Sequence, residues 1–254
     1  MLFAFDLDGT IINHNYQIGA KVLETLSLLK AEGHHVAVIT GRSVLAVSPY
    51  PEITQLCDYV AFNHGAIVRD AAGKTIQQSF LPEAIATHVQ EHRYDLDDEA
   101  SLHAQKRCYV RNPEHVFWQW SRLIGYELLE HGHYQGEKLD KLAVHSSSTK
   151  LLNQLQEEYK QLSYYHWQDI GFEVVGAKGN KGEALSAISR ALGVAQKDTI
   201  AFGDGVNDVE MLAWAGRGIA VGERAYQGVL QVADERVASP EEGGVVRWLR
   251  AKFL

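Results

Sequence analysis

Two cysteines, two methionines and five prolines stand in 254 residues. Cys57 and Cys108 lie far apart and match no metal-ligand spacing, so a reducing compartment is expected. No apolar run approaches the length needed to span a membrane. The apolar stretch at the start is too short for a signal peptide and lacks a basic leader; a cytoplasmic location is expected. Positive charge is in deficit: 24 Lys and Arg face 32 Asp and Glu, a net charge of −8. That argues against general nucleic-acid binding. An anionic ligand therefore needs a local positive site, from a metal or from positioned Lys and Arg. There is no low-complexity tract and no internal repeat. The remainder, 46% hydrophobic and 22% charged, is an ordinary globular composition, sized for one large domain or two small ones.

The informative stretch is Phe3-Ala4-Phe5-Asp6-Leu7-Asp8-Gly9-Thr10. A short unbroken apolar run suits a central strand buried on both faces. It ends in two carboxylates, and Gly9 allows a sharp turn. Asp6 and Asp8 are thus expected just past the carboxyl end of a parallel strand, where open α/β sheets place their ligands. Two carboxylates at i, i+2 repel, and one shifts its pKa unless a cation shares the site.

Around it the chain reads as alternating strands and helices. Periodicity predicts a helix over 18–32, stopped by Gly33, then a strand over 35–39 that ends in Thr40-Gly41-Arg42-Ser43. A strand over 58–62 leads into Asn63-His64-Gly65-Ala66, and 67–76 reads as a hairpin. The rhythm breaks near Leu81. Residues 82–172 read as a helix (83–92), a polar acidic loop (95–99), strands at 108–111 and 141–145, a helix over 148–160 and a hairpin over 163–175. Trp118, Trp120, Tyr164, Tyr165 and Trp167 are expected in its core. His131 and His133 fit no compact zinc pattern and are read as surface or core residues. The α/β rhythm returns with a helix over 181–192 and a strand over 198–202. That strand breaks into Gly203-Asp204-Gly205-Val206-Asn207-Asp208. A helix through Trp214, a strand over 218–221 and a closing helix over 241–253 follow. The expected fold is a Rossmann-like, doubly wound, mostly parallel α/β sheet (1–81 and 173–254) with an inserted α+β module (82–172).

Asp6 with Asp8, Thr40, Lys181, and Asp204 with Asn207 and Asp208 all fall at strand ends or helix starts of this core. Hydrolysing a phosphate ester demands charge neutralisation more than strong bases. Mg²⁺ prefers hard oxygens, which Asp6, Asp204 and the Asp8 backbone supply. Lys181 adds a compact charge at a helix start, and Thr40 a hydroxyl. Asp6 is left as nucleophile and Asp8 as proton donor to the leaving oxygen.

Order and spacing resemble the four motifs of the haloacid dehalogenase phosphatases, and within them the Cof-type group, subfamily IIB, with a large C2 cap between the second and third motifs. The resemblance covers nearly the whole chain, to an echo of the family's ending at Glu241-Glu242-Gly243-Gly244-Val245. It implies an aspartyl-phosphate mechanism with Asp6 and Asp8 catalytic. Thr40, Gly41, Lys181 and Asn207 then bind phosphate, and Asp6, Asp8, Asp204 and Asp208 surround Mg²⁺. Arg42 and His64 become substrate candidates, Arg42 alternatively a brace for its loop. The implied partner is a small phosphorylated metabolite, with sugar phosphates the leading class, and the implied chain a monomer or weak homodimer. A phosphotransferase or phosphomutase of the same fold is the alternative. It needs a second phosphate site in the insert, for which Lys106, Arg107 and Arg111 are the candidates, although a solvated basic strand edge is the preferred reading of the three. Lys106, Arg107, Lys141 and the Tyr164–Trp167 hairpin are the insert's candidate substrate contacts.

Three departures from the family pattern stand out. His64 replaces the usual Asn, either altering leaving-group contacts or merely packing. Gly205 replaces a common Ser, which removes a hydroxyl and keeps the turn. Two lysines compete for one role; Lys181 is chosen because Gly182-Glu-Ala-Leu185 follows it, with Lys178 the fallback.

Overall fold

The computed structural model describes residues 1–92, 99–146, 149–167 and 170–254. It divides into two compact units. One comprises Met1–Gly41, Tyr50–Gln77 and Asn180–Leu254; the other comprises Arg42–Pro49 and Gln78–Gly179. In chain order the strands are β1 (Leu2–Phe5), β2 (His35–Ile39), β3 (Tyr59–Phe62), β4 (Ile67–Asp70), β5 (Thr75–Gln78), β6 (Glu99–Ala104), β7 (Arg107–Val110), β8 (Glu127–Glu130), β9 (Lys141–His145), β10 (Ser163–His166), β11 (Phe172–Val175), β12 (Thr199–Gly203), β13 (Arg217–Val221) and β14 (Glu235–Val237). The helices are α1 (Ala20–Ala31), α2 (Val44–Val47), α3 (Pro51–Leu56), α4 (Glu83–His92), α5 (Gln119–Leu123), α6 (Lys150–Glu158), α7 (Lys181–Leu192), α8 (Val209–Trp214), α9 (Gln227–Val232) and α10 (Gly244–Phe253).

The first unit is an eight-stranded sheet in the order β14-β13-β12-β1-β2-β3-β4-β5. Pairing is parallel from β14 to β3 and turns antiparallel at β3–β4. The strands are apolar on both faces because helices cover both. On one face Gly218, Ala201, Ala4 and Ala37 lie in register across four strands. Such small residues let helices approach closely, and Ala184, Leu185 and Ile188 of α7 with Met211 and Leu212 of α8 share that core. The other face carries bulk: Phe5 stacks on Phe202 at 4.9 Å, and Phe202 meets Trp248 of α10 edge-on at 5.4 Å. β1, β2 and β12 therefore end side by side, and Asp6, Thr40 and Asp204 follow their last residues.

The second unit is a six-stranded sheet in the order β10-β11-β9-β6-β7-β8, antiparallel except for β7–β8. Ile85 and Val89 of α4 and Leu151 and Leu155 of α6 close one face against Leu102, Leu142, Val144 and Val174. The segment Arg42–Pro49, expected in the core domain, belongs here. Leu45 packs on the cluster of Cys108, Val110, Trp118 and Tyr126, and the Tyr126 hydroxyl donates to Ser43 Oγ at 2.6 Å.

Several expectations need correction. Trp120 is 52% exposed, whereas Trp118 and Tyr165 are buried and Tyr164 and Trp167 half-buried. α2, α3, β6, α5, β8, α9 and β14 were not expected. Of the acidic loop placed at 95–99, residues 95–98 lie outside the described residues, and Glu99 opens β6. The closing helix starts at Gly244, because Gly243 holds a left-handed φ of 68° that ends the preceding turn. His131 is buried and His133 exposed.

Leu185 is fully buried on α7, four residues after Lys181. Leu185→Ala should cost about 2–5 kcal/mol, the range for a buried leucine truncated to alanine. Urea unfolding checks this; a loss below about 1 kcal/mol would mean that the helix does not rest on this contact.

Candidate active site

Asp6 leaves the sheet at the end of β1, its amide donating to Phe202 O at 2.9 Å. Its side chain is buried, and Oδ1 accepts from the Lys181 ammonium at 2.5 Å. Lys181 is the first residue of α7, whose N-cap Asn180 accepts from the amides of Gly182 and Glu183. A cation at a helix N-terminus opposes the helix dipole. Asp208 offsets this: its Oδ1 accepts from Lys181 at 2.6 Å, and both side chains are fully buried. Asp208 Oδ2 accepts from the amides of Asp204 at 3.0 Å and Gly205 at 2.8 Å. Asp208 therefore holds the lysine and shapes the acidic loop at once, with both oxygens engaged.

Asp204 faces Asp6 from the end of β12. Thr10, which the sequence reading left without a role, donates its hydroxyl to Asp204 Oδ1 at 2.8 Å. The hydroxyl two residues after Asp8 was the available signal. Gly9 makes room for this carboxylate. Its φ is +76°, and a Cβ there would lie 2.3 Å from Asp204 Oδ2. One oxygen from each of Asp6, Asp204 and Asp208 falls within 4.8 Å of the others, a set that could hold a metal ion. The Asp8 side chain lies outside that trio and is exposed.

Three carboxylates around one ammonium leave excess negative charge. Burial pushes the Asp6 carboxyl well above its usual range; Lys181 opposes the shift, and Asp208, Asp204 and Asp8 add to it. Burial and Asp208 push Asp204 up to about 7 against the Thr10 hydrogen bond and Lys181. Burial also works against the Lys181 charge, but Asp208 and Asp6 more than offset it and hold the ammonium above its ordinary value. Hard oxygens, partial burial and unneutralised charge are what a divalent cation such as Mg²⁺ requires, so the residues fit that ion.

Thr40 is buried after β2, its amide donating to Ala61 O and its carbonyl accepting from the His64 amide, both at 2.9 Å. Asn63 and His64 are consecutive left-handed residues, at φ of 48° and 57°. Such residues cost on the order of 1–3 kcal/mol each and persist where their surroundings enforce them. His64 is fully buried, with Nδ1 3.1 Å from Asn207 Nδ2. Its ring lies against Gly41, where a Cβ would come within 2.5 Å of Cε1. Arg42 and Lys178 belong to the second unit: the Arg42 guanidinium donates to Ala46 O at 3.1 Å, and the Lys178 amide to Ser79 Oγ at 3.3 Å.

Residues 3–249 match the family model of the haloacid dehalogenase-like hydrolases. The chain belongs to that family. It is 29% identical over 276 residues to the HMP-PP phosphatase of Serratia proteamaculans, covering 100% of this chain and 97% of that protein. A solved haloacid dehalogenase-like hydrolase from Bacteroides thetaiotaomicron has the same fold, with a TM-score of 0.86 at 20% identity and 99% of each chain covered. The HAD subclass IIB sugar phosphatase BT4131 gives a TM-score of 0.82 at 20% identity over 98% of each chain. This hydrolase is a phosphatase of the superfamily, and no helix among its described residues is long and apolar enough to cross a membrane.

In the presence of a chelator the raised Asp204 pKa has a testable sign. A carboxyl whose pKa is raised to about 7 on folding contributes stability below its unfolded pKa, and that stability is lost as pH rises toward 7. Asp204→Asn, which removes the titration, should gain stability relative to wild type between pH 4 and about 7. Urea midpoints across that range read the difference; one that stays constant would mean that Asp204 carries no buried charge.

Proposed function

We propose that this phosphatase hydrolyses small phosphorylated metabolites, sugar phosphates above all, in a Mg²⁺-dependent reaction through an aspartyl-phosphate on Asp6. The observation that carries the reading is the buried Asp6–Lys181–Asp208 chain at the end of β1, in a member of this phosphatase family. Mg²⁺ would be held by Asp6, Asp204 and the main-chain carbonyl of Asp8 and would supply charge neutralisation at the phosphoryl group.

Lys181 fixes Asp6 Oδ1 and so leaves Oδ2 to attack phosphorus. The new bond is Oδ2–P; the bond that breaks is from phosphorus to the leaving oxygen, which takes a proton from Asp8. Exposure suits Asp8 to this task, since a solvent-accessible carboxyl can exchange its proton between turnovers. In the second half-reaction Asp8 takes a proton from water, the water oxygen bonds to phosphorus, and the Oδ2–P bond breaks. Inorganic phosphate leaves and Asp6 is regenerated. Thr40, the Gly41 amide, Lys181 and Asn207 bind the phosphoryl oxygens. Asp208 acts by holding Lys181 and the Asp204–Gly205 amides.

The second unit contributes none of the carboxylates in the trio, and we assign it the choice of substrate. Lys141, one of its candidate contacts, is paired with Glu173 at 2.6 Å. Arg107, one of the three candidates for the mutase's second phosphate site, is tied to Glu127 at 3.0 Å and Glu137 at 2.6 Å. The geometry therefore favours hydrolysis.

Asp6→Asn should abolish turnover of every phosphate ester, on the order of a million-fold as for other lost nucleophiles. Asp8→Asn should lose about 10²–10⁴-fold on an alkyl phosphate and less on an activated aryl phosphate, whose leaving group needs no proton. Steady-state assays with Mg²⁺ and after chelation check both. Turnover by Asp6→Asn, equal losses on both esters for Asp8→Asn, or full activity after chelation would each contradict the corresponding part.

A further inference from the structure

Asn207 belongs to the Asp204–Asp208 loop, with His64 at its amide nitrogen and Gly205 beside its amide oxygen. On one side its Nδ2 donates to His64 Nδ1 at 3.1 Å, which places the proton of a neutral imidazole on Nε2. On the other its Oδ1 lies beside Gly205, where a Cβ would come within 2.8 Å. His64 in turn presses on Gly41, with Cε1 2.5 Å and Nδ1 and Nε2 3.1 Å from where a Cβ would stand. Gly41, the imidazole, the amide and Gly205 thus form one closed layer. A glycine stands at each end because a side chain there would collide with the next member. The layer runs from the Thr40–Gly41 loop to the Asp204–Asp208 loop, and the His64 amide ties it to Thr40 O.

We propose that His64 and Gly205 are matched positioning residues that fix the Asn207 amide, the imidazole taking Nδ2 and the missing side chain at 205 leaving room for Oδ1. Neither touches phosphate; both act through Asn207 and Gly41. The geometry stands on its own, and its consequence for phosphate rests on the proposed function. The two positions are also two of the three places at which the chain departs from the pattern it resembles. The layer explains why the departures belong together: a ring at 64 holds the amide against 205, and a Cβ at 205 would push it back onto the ring. A shorter residue at 64 gives up the Nδ2 contact but frees the space into which the amide would shift. Asn suits this test because it tolerates the left-handed backbone at 64.

The test is a double-mutant cycle of His64→Asn, Gly205→Ser and the pair, with Gly205→Ala to separate the Cβ from the hydroxyl. An aryl phosphate with Mg²⁺ gives kcat and KM, competition by inorganic phosphate gives its inhibition constant, and urea unfolding gives stability. Each single change should raise KM and the phosphate inhibition constant by about tenfold, with Gly205→Ala matching Gly205→Ser, and the pair should return both to within about threefold of wild type. The urea midpoints should show the same rescue. Losses that multiply in the pair, or Gly205→Ser without effect, would overturn the proposal. Should the wild type hydrolyse no phosphate ester, the proposed function fails, while rescue or additivity of the urea midpoints still decides the coupling.

Discussion

A lysine ammonium buried between two aspartates is the constraint on which the site depends. Lys181 lies at the start of α7, where the helix dipole disfavours it, and is fully buried, where solvation cannot help it. Among the described residues Asp6 and Asp208 pair with it and make the position tenable, the first at the end of β1 and the second at the start of α8. Asp208 also accepts from two amides of the acidic loop, so the lysine fixes that loop's shape as well as the carboxylate opposite it. Removing one partner from such a pair leaves an uncompensated buried charge, so the arrangement survives as a whole or not at all.

The sheet explains why these residues meet. β12, β1 and β2 are neighbours and parallel, so their carboxyl ends open on one side and their following loops converge. The small residues in register across the sheet let α7 and α8 pack closely, and α7 brings Lys181 to the end of β1. The surplus of carboxylates over ammonium groups leaves a trio of oxygens that could hold a metal ion. The second unit contributes none of the three carboxylates and has its own core.

Much of this was legible in the sequence because burial on both faces leaves a simple mark. Leu2 to Phe5 is an unbroken apolar run, and the carboxylates begin where it stops. Lys181 was preferable to Lys178 from the residues after it, and the structure sets its ammonium on Asp6. The second unit was harder to read. In β6 the period-two signal rests on Ala100, Leu102 and Ala104, and alanine marks a face weakly. In β8, Glu127-Leu-Leu-Glu130 does not alternate at all, since the strand is an edge that is only half-buried. The departure of Arg42–Pro49 from the core unit had no local signal, because it depends on a tyrosine far along the chain. The left-handed Asn63–His64 pair was equally hidden, being enforced by Thr40 and Gly41 rather than by its own sequence.

The measurement closest to the central claim compares the urea stability of wild type, Lys181→Met and Lys181→Met with Asp208→Asn near pH 7.5. If the buried ammonium holds the site together, Lys181→Met loses about 3–5 kcal/mol, the range for a buried ion pair that keeps only one partner. The double variant then recovers part of the loss, because it no longer buries an unpaired Asp208. A Lys181→Met protein as stable as wild type, or a double variant less stable than the single one, would contradict the claim.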